Sequence, residues 1–219
     1  MFLQMRTFFL IQGYSLLILN YSGSTGYGED FLNSLLGNIG ELDVQDCGKL
    51  VKKAIETHSD KVDPSKVAVY GGSHGGFMTG WLIGHPDFKD LFCSAVLWNP
   101  VINMSYMYSS TDIPDWILAC CLNKDWSYRI TSEDNKVFFD KSPISVVQNV
   151  KTPSLILIGG SDKRVPPHQG FQYHHMLKDM GVPTKLYHYP EDGHAIGGTE
   201  TGLDATMNIY FWFDQEFNK

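Results

Sequence analysis

A net charge of −7 over 219 residues, with no basic run, excludes nucleic acid and anionic membrane as partners. The proportions of 43% hydrophobic and 19% charged residues exclude a disordered chain and fit one α/β domain over residues 1–219 with a large core. The 4 cysteines, Cys47, Cys93, Cys120 and Cys121, lack CxxC or CxxH spacing, so no metal or other cofactor is expected and reduced thiols in the cytoplasm are.

The first 19 residues have the look of a weak secretory leader. Gln12-Gly13-Tyr14-Ser15 breaks the apolar stretch, however, and no small-residue cleavage site follows. The reading is instead a helix stopped at Gly13 and a strand over residues 16–20. No other segment nears the roughly 20 apolar residues of a membrane span. Next, Gly40 and Asp43 open a helix over residues 44–56.

The run Val67-Ala68-Val69-Tyr70 then feeds into Gly71-Gly72-Ser73-His74-Gly75, a strand entering Gly-x-Ser-x-Gly. Such a turn holds a serine in strained backbone at the end of a sheet, with small neighbours for clearance, here Gly71 and Gly75. An apolar helix over residues 77–83 follows, so its N-terminal amides lie under the Ser73 hydroxyl. The amide of His74 is the candidate oxyanion donor.

A strand centred on Val96 leads into the longest and least regular stretch, residues 103–144. Tyr106, Tyr108, Trp116, Trp126 and Tyr128 make it rich in rings, suited either to a pocket wall or to covering the sheet. The strand around Leu157 ends in Gly159-Gly160-Ser161-Asp162, and a helix over residues 169–179 closes at Gly181 and Pro183. The strand around Leu186 runs into Glu191-Asp192-Gly193-His194, and a last helix covers residues 205–217. Five strands, centred on Leu17, Val69, Val96, Leu157 and Leu186, alternate with helices, the pattern of a mostly parallel sheet covered on both faces.

A serine hydroxyl needs a base and a carboxylate to orient that base, and after such an elbow they follow in the order acid, then histidine. Asp162 and His194 sit at the carboxyl ends of later strands and fit those roles. His174 and His175 fall within a helix and His188 within a strand, while Asp192 is too close in sequence to His194 to approach its ring from a separate loop. Arg164 should face the mouth of the site, where its planar fork suits a peptide carboxylate or carbonyl; the alternative is a surface arginine paired with a nearby acid.

Over nearly its whole length the chain resembles the acylaminoacyl-peptidase branch of the prolyl oligopeptidase family. The resemblance is carried by Asn20-Tyr21-Ser22-Gly23-Ser24-Thr25-Gly26-Tyr27-Gly28, Gly71-Gly72-Ser73-His74-Gly75-Gly76 and Asn99-Pro100-Val101-Ile102-Asn103. It is sharpened by Thr111-Asp112-Ile113-Pro114-Asp115-Trp116, Lys141-Ser142-Pro143-Ile144 and Asp162-Lys163-Arg164-Val165-Pro166. It implies an α/β-hydrolase fold and a cytosolic serine peptidase that releases N-acylated amino acids from short peptides. From their positions in the sequence, Trp116 of the ring-rich stretch and Arg164 are the candidate substrate contacts.

Two departures stand out. The family has arginine where this chain has Ser22, which implies a looser loop under the site. The family also carries a β-propeller and a His-Gly-Gly-Pro loop before the matched region, and the latter supplies a second oxyanion donor; this sequence has neither. The expectation is an N-terminally truncated catalytic domain, either part of a longer product or a shortened paralogue, with a homo-oligomer or an upstream β-propeller segment as open partners. Loss of one oxyanion donor costs roughly 10²–10³ in rate, so a small-ester carboxylesterase and an inactive interaction protein stand as alternative functions.

Overall fold

The structure, a computed structural model, describes residues 2–219, with side chains from Met5 onward. Met1 and the side chains of residues 2–4 in the leader-like stretch lie outside the described residues. Helix α1 (Phe2–Ile11) ends in Gly13 at φ +89, as the glycine stop predicts. The short α2 (Glu29–Asn33) and the long α3 (Leu42–Thr57) precede the first strand.

Four parallel strands form one sheet in the order β1 (Ala68–Gly72), β2 (Ser94–Trp98), β3 (Ser154–Gly159), β4 (Thr184–Tyr189). Helix α4 (His74–Gly84) links β1 to β2; α8 (His168–Asp179) links β3 to β4; α9 (Thr199–Phe217) closes the chain. In the central strands, residues of opposite parity serve opposite layers. Ala95, Leu97, Ile156 and Ile158 pack with Val44 of α3, Phe77 and Leu82 of α4 and Leu177 of α8. Val96, Trp98, Leu155 and Leu157 pack with Phe9 of α1 and Ile209 and Phe213 of α9. All five residues of β2 are buried, as a strand covered on both faces requires. Among the described residues, no helix is long and apolar enough to cross a membrane.

Two expectations need correction. Residues 16–20 form no strand, so among the described residues the sheet has four strands rather than five. A strand is stabilised by a hydrogen-bonded neighbour and a buried face, and this run has neither: Leu16, Leu17 and Ile18 are 38%, 53% and 55% exposed, and β1 remains the edge of the sheet. Only Leu19 and Tyr21 reach the core.

The stretch over residues 103–144 is also more regular than expected. It folds into α5 (Met104–Tyr108), α6 (Pro114–Leu122) and α7 (Ser132–Asp140), which pack on one another. Their start signals were present in the sequence. Asn103 caps α5 by accepting from Tyr106 N, Pro114 sits in the first turn of α6, and Thr131 and Asp134 make a reciprocal capping box on α7.

Candidate functional site

The end of β1 delivers Ser73 at φ 58, ψ −120, a left-handed conformation that costs a non-glycine residue about 1–3 kcal/mol. The strain is held in place from both sides. Ser73 N donates to Trp98 O at 2.9 Å, and Phe77 N donates to Ser73 O at 3.0 Å. His74 opens α4, where backbone N–H groups have no intrahelical acceptor and favour negative charge. Clearance at the turn comes from Gly71, whose added Cβ would lie 2.0 Å from Gly75 O, and from Gly76, whose Cβ would lie 2.7 Å from Pro100 Cα. At Gly75 itself an added Cβ meets nothing within 4 Å, so the expected steric role of its missing side chain is corrected: Gly75 contributes the backbone that Gly71 must admit.

At the end of β3, the Asp162 side chain is fully buried, and each oxygen has a task. Oδ1 accepts from Arg164 N (2.8 Å) and Val165 N (3.0 Å), which folds the loop around the carboxylate. Oδ2 accepts from His194 Nδ1 at 2.6 Å. With Nδ1–H committed to the carboxylate, Nε2 of the neutral ring is left as the basic nitrogen. The His194 side chain is 33% exposed, so the ring reaches solvent while its acid partner does not. No hydrogen bond joins Ser73 Oγ to His194 among the described residues; such contacts are often long before substrate is bound.

A residue that sequence reasoning passed over ties these loops together. Asn99, directly after β2, sits at φ +40 and is 2% exposed. Its Nδ2 donates to His194 O at 2.9 Å, and its Oδ1 accepts from Gly159 N at 2.8 Å. Its own backbone N donates to Leu157 O (2.8 Å), one residue beyond the Trp98 carbonyl that holds Ser73. The loops of Ser73, Asp162 and His194 are therefore fixed through two consecutive residues, Trp98 at the end of β2 and Asn99 directly after it. The available sequence signal was an Asn-Pro pair at the exit of a buried strand, which marks a turn.

The Asp162 loop is braced from α6's approach. Thr111 Oγ1 donates to Arg164 O (2.6 Å), and Asp112 N donates to Lys163 O (3.1 Å). The Arg164 side chain turns to Asp112, Nε to Oδ1 at 2.5 Å and Nη2 to Oδ2 at 3.4 Å. This contact holds the Asp112 carboxyl below the usual carboxylate range and raises Arg164. It corresponds to the paired-arginine alternative. Arg164→Ala is accordingly expected to change peptide KM by less than about threefold, the scale of an exposed ion pair, and a rise of tenfold or more would favour the substrate contact instead.

Trp116 stands edge-on to the His74 ring, 5.8 Å between centroids, so it packs on the residue that follows the candidate nucleophile. The other rings of that stretch gather elsewhere: Tyr108 packs on Phe138 and Trp126, and Trp126 on Tyr128. The loop at Ser22 is firmly anchored, contrary to expectation. Ser22 N (2.9 Å) and Oγ (2.6 Å) both donate to Asp46 Oδ2, so the short hydroxyl at this position ties the loop to α3 without the family's arginine. Among the described residues, no cluster of three or more His, Cys, Asp or Glu side chains is placed to hold a metal ion.

Comparison with known proteins agrees with this geometry. The sequence profile of the prolyl oligopeptidase family matches residues 2–219. An acylamino-acid-releasing enzyme of Arabidopsis thaliana is 45% identical over 205 residues, covering 93% of this chain and 26% of the relative. The acylamino-acid-releasing enzyme of Homo sapiens is 40% identical over 206 residues, covering 91% of this chain and 27% of the relative. The chain thus spans about a quarter of the length of these curated relatives. Among solved structures, an acylaminoacyl peptidase in complex with Z-Gly-Gly-Phe-chloromethyl ketone superimposes with a TM-score of 0.79 at 25% identity, over 89% of this chain and 31% of that one. A strained serine elbow on a parallel sheet, a profile match from residue 2 to residue 219 and identities of 40–45% converge: the chain belongs to the prolyl oligopeptidase family.

Proposed function

We propose that this chain carries the catalytic site of a serine peptidase that releases N-acylated amino acids from short peptides, with Ser73 as nucleophile, His194 as base and Asp162 as its orienting carboxylate. The observation that carries the reading is the buried Asp162 carboxylate accepting from His194 Nδ1 at 2.6 Å, on a loop that Asn99 ties beside the Ser73 elbow. A carboxylate held this way fixes the imidazole tautomer and stabilises the imidazolium formed when Nε2 takes a proton. His194 removes the Ser73 proton as Oγ attacks the scissile carbonyl, and the His74 amide supports the oxyanion. His194 then protonates the leaving amine, and water resolves the acyl-enzyme by the reverse sequence.

The test is intact mass after exposure to a fluorophosphonate, with Ser73→Ala as control. One covalent adduct on the native chain and none on the variant is the expected result. A folded native chain that takes no adduct would overturn the reading. Paired acetyl-amino-acid anilide and ester substrates then separate peptidase from esterase, because an amine leaving group depends far more on protonation and oxyanion support than an alkoxide does.

A further inference from the structure

We infer that Tyr21, His74 and Asp43 form a second hydrogen-bonded relay beneath the nucleophile, in which Asp43 is a positioning residue acting through His74 on the oxyanion amide. The inference rests on the serine-hydrolase reading above and adds to it a role for side chains that the triad does not use.

The Asp43 carboxylate is fully buried at the first turn of α3, and all of its bonds are to N–H groups. Oδ1 accepts from Gly40 N (2.8 Å) and Val44 N (3.0 Å), while Oδ2 accepts from His74 Nε2 at 2.9 Å. A buried carboxylate is tolerated only when its oxygens are met in this way, so His74 must keep its proton on Nε2. Nδ1 is then an acceptor, and the Tyr21 hydroxyl stands 3.3 Å from it as donor. Burial, with Cys47 and Asp43 nearby, pushes the Tyr21 hydroxyl up to about 12, so it retains the proton it donates. Tyr21 is fixed in turn, because the next residue, Ser22, is held by Asp46, which lies three residues after Asp43 on the same side of α3.

The consequence falls on the backbone. His74 is the first residue of α4, and its amide is the candidate oxyanion donor. Its ring is clamped at both nitrogens and flanked by Tyr21 (5.4 Å), Phe77 (5.5 Å) and Trp116 (5.8 Å). Anchoring this ring to the start of α3 prevents the first turn of α4 from rotating or fraying. An oxyanion donor acts only within a few tenths of an ångström of its working distance, so a loosened anchor is expected to lower kcat while sparing substrate binding.

The test uses the full chain and four variants: Asp43→Asn, His74→Phe, their double substitution and His74→Gln. Asparagine keeps an acceptor for Gly40 and Val44 but presents N–H to His74, which reverses the relay; phenylalanine keeps the ring and drops both bonds. Asp43→Asn and His74→Phe are each expected to lose about 10- to 100-fold in kcat, below the cost of deleting a donor outright, with KM changed less than about twofold. The double variant is expected to lose no more than His74→Phe alone, because Asp43 acts only through that ring. His74→Gln, which returns one donor to Asp43, is expected to recover most of the loss. Multiplying losses in the double variant, or unchanged kcat in folded Asp43→Asn and His74→Phe chains whose Ser73 still takes the fluorophosphonate, would overturn the relay and leave the hydrolase reading standing. A native chain that takes no fluorophosphonate would overturn both.

Discussion

Asp162→Asn is expected to lower turnover of an acetyl-amino-acid anilide by roughly 10⁴-fold while leaving the chain folded, the scale seen when a triad carboxylate is replaced by its amide. The reason is directional. Asp162 Oδ2 accepts from His194 Nδ1, and Oδ1 is already taken by the amides of Arg164 and Val165. In the variant the amide oxygen stays with those two backbone donors, which turns the NH₂ toward the ring. His194 must then accept at Nδ1 and carry its proton on Nε2, where it can no longer take one from Ser73. The check is kcat for the anilide together with the rate of Ser73 phosphonylation, and both should fall together. A loss under about tenfold would remove Asp162 from the orienting role.

Gly71→Ala is expected to be among the most damaging single substitutions in the chain, costing more than about 4 kcal/mol or preventing folding. Its Cβ would sit 2.0 Å from Gly75 O and 2.2 Å from Gly75 C, and both obstacles are backbone in the elbow itself. Nothing flexible can give way, so the start of α4 would have to leave β1, taking Ser73 and the His74 amide with it. Gly75→Ala provides the contrast within the same turn. Its Cβ has open space, it lies in the first turn of α4, and alanine there should be neutral or stabilising by up to about 1 kcal/mol. Urea midpoints of the two variants check both expectations. Equal effects would show that the elbow tolerates opening.

The sheet edge illustrates how far local pattern carries and where it stops. Residues 16–20 are as apolar as the strands that formed, and their exposure of 38–55% at Leu16 to Ile18 shows an apolar run without a partner. The central strands were legible because their continuous apolar runs are buried on both faces, as in β2 and β3. The helices over residues 44–56 and 169–179 were legible from their start and stop signals, Gly40 with Asp43 and Gly181 with Pro183, and lie within two residues of α3 and α8 at each end. The α5 to α7 layer was harder, because each helix is short and owes its existence to caps and mutual packing rather than to a long periodic stripe.

The sequence by itself determined the turns of the candidate site: Gly-x-Ser-x-Gly after a strand, an acid after Gly159-Gly160 and a histidine after Gly193. These are local signals, since a strained elbow or a strand exit must be written in the residues that make it. Tertiary structure alone decided which distant side chains serve those turns. Asn99 meeting His194, Asp43 meeting His74 and Asp112 meeting Arg164 are separated by 95, 31 and 52 positions. No periodicity connects residues so far apart in the chain. The Asn99 and Asp43 pairs form because a buried polar group must find a partner once the sheet and its helices have brought the groups together, whereas Asp112 and Arg164 meet as an exposed ion pair.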